Sequence, residues 1–235
     1  MECCKLVAIS PKSTFIILTM KIFARVVRFS RKCMFLDRHG EASTMLGFRP
    51  KYDKILELLL YLAHRKPGAD KYQAVKFFYL ADKTHIERYG RPITFENYFA
   101  LKYGPVASTA KDLLEGNAFI MKKAGVKALP FEVVSRSGKS PDHRDILVIG
   151  KPRREVDFDF FSKSDIAVFD EILDKYGNCN FDELFQITHG HEAYKSAWSR
   201  RGISNRYPID YAEMIEDKTK REKILADVGP IAARM

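Results

Sequence analysis

A chain of 235 residues, 46% apolar and 30% charged, is long enough for one sizeable folded domain, and no run of about 20 apolar residues points to a membrane span. The formal net charge is +10, but residues 1–50 hold nine Lys or Arg against three acids, which is +6 of that total. Only +4 is left for the other 185 residues, so the whole-chain excess is a weak argument for nucleic-acid binding by the folded part.

Cys3, Cys4 and Cys33 lie in the first segment and only Cys179 lies beyond it. A body with one thiol makes no internal disulfide, so a reducing, cytoplasmic compartment is the expectation. The stretch FIILTMKIFARVV (15–27) is apolar but broken by Lys21 and Arg25, and its six-residue core is short for a signal peptide. Residues 1–45 are therefore set aside as a basic extension, or as an upstream stretch before Met45. The expected domain is 46–235.

Patterned sequence starts just after Met45. Residues 51–65 place Tyr52, Ile55, Leu56, Leu59, Leu62 and Ala63 at helical spacing, and Pro67-Gly68 ends the element. A second helix is expected over about 70–88, with Val75, Phe78, Tyr79, Ile86 and Tyr89 on its apolar face. Asp82 falls in the centre of that face, and His85 lies at its edge, three residues on. A carboxylate in an apolar stripe has to be hydrogen-bonded or paired. Donors are close in the chain: the backbone of YGRPIT (89–94), the Arg91 guanidinium, and the phenols of Tyr98 and Tyr103. Gly90 suits a left-handed helix end, and Pro92 favours an extended Arg91. Asp82 thus reads as an anchor between the helix end and the loop after it. An Asp82–His85 acid–base pair is the rival, with no Ser or Cys nucleophile spaced beside it.

FENYFALKYGPVAST (95–109) is expected to start helical and break at Gly104-Pro105, with Pro105 in the first turn of a helix near 106–115. Residues 131–136 and 145–150 are β-prone and read as a hairpin around the polar loop 137–144. Helix signals then return. SKSDIAVFDEILDKYG (162–177) carries a Ser162/Asp165 cap, NFDELFQITHGHEAYKSAW (180–198) an Asn180/Glu183 cap, and a last helix is expected over 211–227. The fold class is mainly α with one short β-hairpin, an α+β arrangement. His189, His191 and Glu192 invite a metal, but the region looks helical and His residues two apart share a face only on a strand. No metal, cofactor or catalytic residue is assigned. Trp198 reads as an anchor at the edge of the core or toward a partner.

The run VKFFYLADKTHIERYGRPITFENYFALKYGPVAS (75–108) resembles the opening motif of the Panacea, or SocA-like antitoxin, domain. The pattern falls on Phe78-Tyr79-Leu80-Ala81-Asp82, on Tyr89-Gly90-Arg91-Pro92-Ile93-Thr94, on Tyr98 and Ala100, and on Tyr103-Gly104-Pro105-Val106. LFQITHGHEAYKSAW, with His189 and Trp198, resembles the family's second block. Together they span roughly residues 52–205. The resemblance implies a non-enzymatic bacterial or phage antitoxin that neutralises a cognate protein toxin by contact. Tyr79, Asp82, His85, Tyr89, Gly90, Arg91, Pro92, Tyr103, Gly104, Pro105, His189 and Trp198 would then be structural motif residues. Toxin contacts are expected on the loop at 136–144 and on exposed faces of the C-terminal helices. The alternative is a winged-helix-like regulator binding its own promoter DNA.

Overall fold

The apolar spacing of residues 51–65 folds as helix α1 (Tyr52–Arg65), with every residue from Ile55 to Ala63 buried. In this computed structural model the chain is described over residues 46–137, 145–202 and 206–232. The extension expected at 1–45 and nearly all of the loop expected at 137–144 lie outside those residues.

Helix α2 (Lys71–Tyr89) starts at a capping box between Asp70 and Gln73 and stops at Gly90, whose φ of 74° is left-handed. One apolar stripe was expected on it. Instead Ala74 to Lys83 are all buried, with His85 and Ile86. The reason is position: α2 runs through the middle of the molecule and has neighbours on every side. A helix walled in all round has no solvent face to keep polar. Tyr89 departs from the expected stripe, being 54% exposed with its ring against His85.

Residues 98–107 correct the expectation most clearly. Strands β1 (Tyr98–Leu101) and β2 (Gly104–Ala107) form an antiparallel hairpin with Leu101 opposite Gly104, where a helix was expected to begin. Alternating burial along Tyr98-Phe99-Ala100-Leu101 suits a strand. Pro105 sits within β2, an edge strand where its missing N–H is tolerated, and not in a helix. A second edge strand, β5 (Tyr207–Pro208), completes the order β2-β1-β5. This sheet is additional to the single hairpin expected.

Helices α3 (Ser108–Leu114) and α4 (Ala118–Lys123) follow, then the expected hairpin of β3 (Phe131–Arg136) and β4 (Ile146–Pro152). Helices α5 (Lys163–Tyr176) and α6 (Phe181–Gly190) each begin at the capping box read from the sequence, at Ser162/Asp165 and Asn180/Glu183. His191 breaks the chain between α6 and α7 (Glu192–Ser199). The last expected helix is split into a 3-10 turn, Tyr211–Met214, and α8 (Lys218–Val228). Eight α-helices and two small sheets among the described residues make the fold mainly α with some β.

Candidate functional site

Four ionisable side chains of α2 point inward, and each ties the helix to a different part of the chain. Asp82 is fully buried. Its Oδ1 accepts the backbone N–H of Ile93 (2.8 Å) and of Thr94 (3.0 Å). Its Oδ2 accepts from the Thr94 hydroxyl and the Tyr98 phenol (2.8 Å), with the Tyr211 phenol at 3.1 Å. The phenols also reach carbonyls, Tyr98 that of Phe78 (3.0 Å) and Tyr211 that of Glu96 (2.9 Å). Burial pushes the Asp82 carboxyl above its ordinary range, against hydrogen bonds from Thr94, Tyr98 and Ile93 that favour the charged form. One acid thereby fixes the turn after α2, the start of β1 and the 3-10 turn at 211. Phe95 in that turn takes a left-handed φ of 56°, rare for a bulky side chain, and its ring packs edge-on against Phe48.

His85 does not meet Asp82. Its Nδ1 donates to the Arg91 carbonyl (2.7 Å), and its Nε2 faces Asp165 Oδ1 at 3.1 Å. Arg91 likewise turns away from Asp82: its guanidinium donates to Asp165 Oδ1 (2.9 Å) and to the Ser162 hydroxyl (3.0 Å). Lys54 donates to Asp165 Oδ2 at 2.7 Å. Asp165, read from the sequence only as a cap, is therefore a second buried hub. Burial alone would raise its pKa, but hydrogen bonds from His85, Lys54 and the Ser162 N–H hold it far below the carboxylate range. A carboxyl depressed in the fold stabilises fully above its unfolded value of about 4, and that stabilisation is lost as pH falls toward the folded value. Asp165→Asn should cost about 2–4 kcal/mol at pH 7, and the gap from wild type should close as urea melts are moved below about pH 4. A gap of constant size across that range would rule the hub out.

Lys76 is fully buried, and no carboxylate meets it among the described residues. Its ammonium donates to the carbonyls of Tyr103 (2.6 Å) and Pro105 (2.8 Å), on either side of Gly104. Burial holds its pKa well below the ordinary lysine value. Gly104 has a φ of 98°, and a Cβ there would stand 2.6 Å from Lys76 Nζ and 3.0 Å from His189 Cε1. Close approach and left-handed backbone together make glycine necessary. His189 stacks on Phe185 (3.6 Å) and its Nδ1 donates to the Phe185 carbonyl (2.8 Å); burial lowers its pKa. Lys83, the fourth group, pairs with Glu87 (2.8 Å) and Glu216 (3.0 Å).

The remaining predicted residues serve as walls. Pro92 is buried beside the Asp82 turn, and Tyr103 rests edge-on against Phe181. Tyr79 is buried between Tyr98 and His191, and its hydroxyl has no hydrogen-bond partner among the described residues. Trp198 is half-buried, stacked with Tyr194 and covered by the Arg201 guanidinium at 5.5 Å. Glu96 went unnoticed in the sequence. It is buried, accepts the N–H groups of Asn97, Thr109 and Ala110, and thereby caps α3. Burial pushes it up to about 7 despite those bonds. An acid placed before a helix it does not adjoin leaves no local signal.

A family model described as Antitoxin SocA-like, Panacea domain, matches residues 75–195. The chain belongs to this family. No curated protein and no solved structure matches it. The Panacea match runs from Val75, inside α2, to Lys195, inside α7, so it takes in Asp82, the 89–94 turn, the β1–β2 hairpin and His189, while Trp198 lies just past its end. Among the described residues no helix is long and apolar enough to cross a membrane.

Proposed function

We propose that the chain is the antitoxin of a toxin–antitoxin pair and holds a cognate protein toxin inactive by direct, stoichiometric contact, without chemistry of its own. Family membership supports the antitoxin role. The observation that carries the mode of action is Asp82: both of its oxygens are taken up by donors of the same chain, inside the core. The family motif is thereby committed to holding helix, turn and hairpin together. Recognition then falls to the surface of a stiff body, which binds with little rearrangement. The DNA-binding alternative draws no support from the family match.

The test is expression of the product of the adjoining open reading frame, alone and together with this chain. Growth arrest by the neighbour alone, relief on co-expression and co-elution of the two in one complex are expected. A neighbour that is harmless alone, or that stays lethal when this chain is co-expressed, refutes the proposal.

A further inference from the structure

Among the described α-helices, α4 alone has no buried residue, and it carries an exposed aromatic. Its own residues are all exposed or half-buried. Phe119 is 64% exposed, the highest value among the large hydrophobic side chains described. The helix is nevertheless well seated. Asn117 accepts the N–H groups of Phe119 (3.1 Å) and Ile120 (3.2 Å), and Ile120, Met121, Ala124, Val126 and Leu129 pack part-way onto the core. Beside it runs a shallow groove of about 620 Å³, whose lining includes Ala118, Met121, Val126, Lys122 and Lys127.

The charge here is of one sign. Residues 116–130, GNAFIMKKAGVKALP, hold three lysines and no acid. Glu115, just before them, is held by Lys71 and Lys111, each at 2.6 Å. Lys122, Lys123 and Lys127 make no ion pair among the described residues. Lys123 lies over two rings, 4.9 Å from Phe119 and 5.1 Å from Tyr52. An exposed aromatic beside an apolar groove, rimmed by unpaired cations, has the make-up of a protein contact with a desolvated centre and a charged rim.

We propose that the α4 face is where the partner protein docks, and that it takes an acidic, apolar segment of that partner. An aliphatic or aromatic side chain fills the groove beside Phe119, and carboxylates meet Lys122, Lys123 and Lys127. This rests on the antitoxin reading and deepens it by naming the surface. It moves the expected contact away from residues 136–144 and the C-terminal helices. Nucleic acid fits less well: the lysines can meet phosphates, but the apolar groove and the exposed Phe119 ring beside them give a phosphate backbone no hydrogen-bond donor. A helix of six residues is too short to lie in a membrane interface as an amphipathic anchor. A two-fold contact with a second copy would set lysines against lysines.

The experiment uses the full chain and the product of the adjoining open reading frame. Wild type, Phe119→Asp, the pair Lys123→Glu/Lys127→Glu, and Phe158→Asp as a control for another exposed aromatic are compared for rescue of growth and for affinity. Phe119→Asp and the lysine reversal should each weaken binding at least about tenfold, with thermal midpoints close to wild type, and Phe158→Asp should bind normally. Lys123 and Lys127 are both exposed, so the lysine reversal keeps the test open if Phe119→Asp folds poorly. Unchanged affinity in both α4 variants would overturn the surface and leave the antitoxin reading standing. A wild type that neither binds nor protects would bring down both. Loss of binding to a short DNA duplex, or of self-association in sedimentation, with toxin affinity intact would assign the face to those occupants and overturn the proposal.

Discussion

Asp82→Ala is expected to lower the thermal midpoint by roughly 10–15 °C, corresponding to about 3–5 kcal/mol. The alanine strips the acceptor from two backbone N–H groups, those of Ile93 and Thr94, in a site with no access to water. Each buried donor left unpaired costs about 1–3 kcal/mol. The three hydroxyls suffer less, since Tyr98 and Tyr211 can turn to the carbonyls of Phe78 and Glu96. The same freedom makes Asp82→Asn a mild change, at about 1 kcal/mol. Its carbonyl oxygen keeps the two backbone donors, and its amide can donate to hydroxyls that have other acceptors for their protons. Thermal melts of the two variants side by side check this. Equal losses in Asn and Ala would mean that the negative charge, not the acceptor geometry, holds the turn.

Gly104→Ala should cost about 2–4 kcal/mol for a different reason. The methyl group meets the Lys76 ammonium, which is fully buried and held by the carbonyls on both sides of residue 104, so that displacing it breaks those bonds. A left-handed φ adds strain of its own. The two contributions separate in a double-mutant cycle. Lys76→Met removes Nζ, the atom 2.6 Å away, so Gly104→Ala made in that background should cost less, about 1–2 kcal/mol, with the backbone strain and the contacts to His189 (3.0 Å) and Thr188 (3.1 Å) remaining. Strict additivity in denaturant melts would show that the lysine is not what excludes a side chain there.

How much of this could be read from the sequence depended on how local each signal was. The caps of α5 and α6 were legible because a capping box is written within four residues. So were the Gly90 stop and the β3–β4 hairpin. The β1–β2 hairpin was not, because its aromatic-rich run also fits a helix, and part of its pairing, with β5, comes from over a hundred residues away. Asp82 could be singled out by its place among apolar neighbours, but its donors could not be ranked. Tyr98 and the 93–94 backbone were foreseen. The Thr94 hydroxyl was not named, and Tyr211, 129 residues on, was beyond reach. Arg91 and Tyr103 were offered to Asp82 as well. Arg91 chose Asp165, an acid whose capping role disguised its depth, and the Tyr103 carbonyl serves Lys76.

The encircled position of α2 bears on where this unit can be cut. Family likeness covers residues 75–195, limits that fall within α2 at one end and within α7 at the other. A gene fragment trimmed to those limits would sever the axle of the molecule, discard the whole of α1, and lose the Tyr211 phenol that closes over the anchor. A truncation meant to keep the fold must therefore carry the flanks along, because the folded unit is longer than the stretch by which its kinship is recognised.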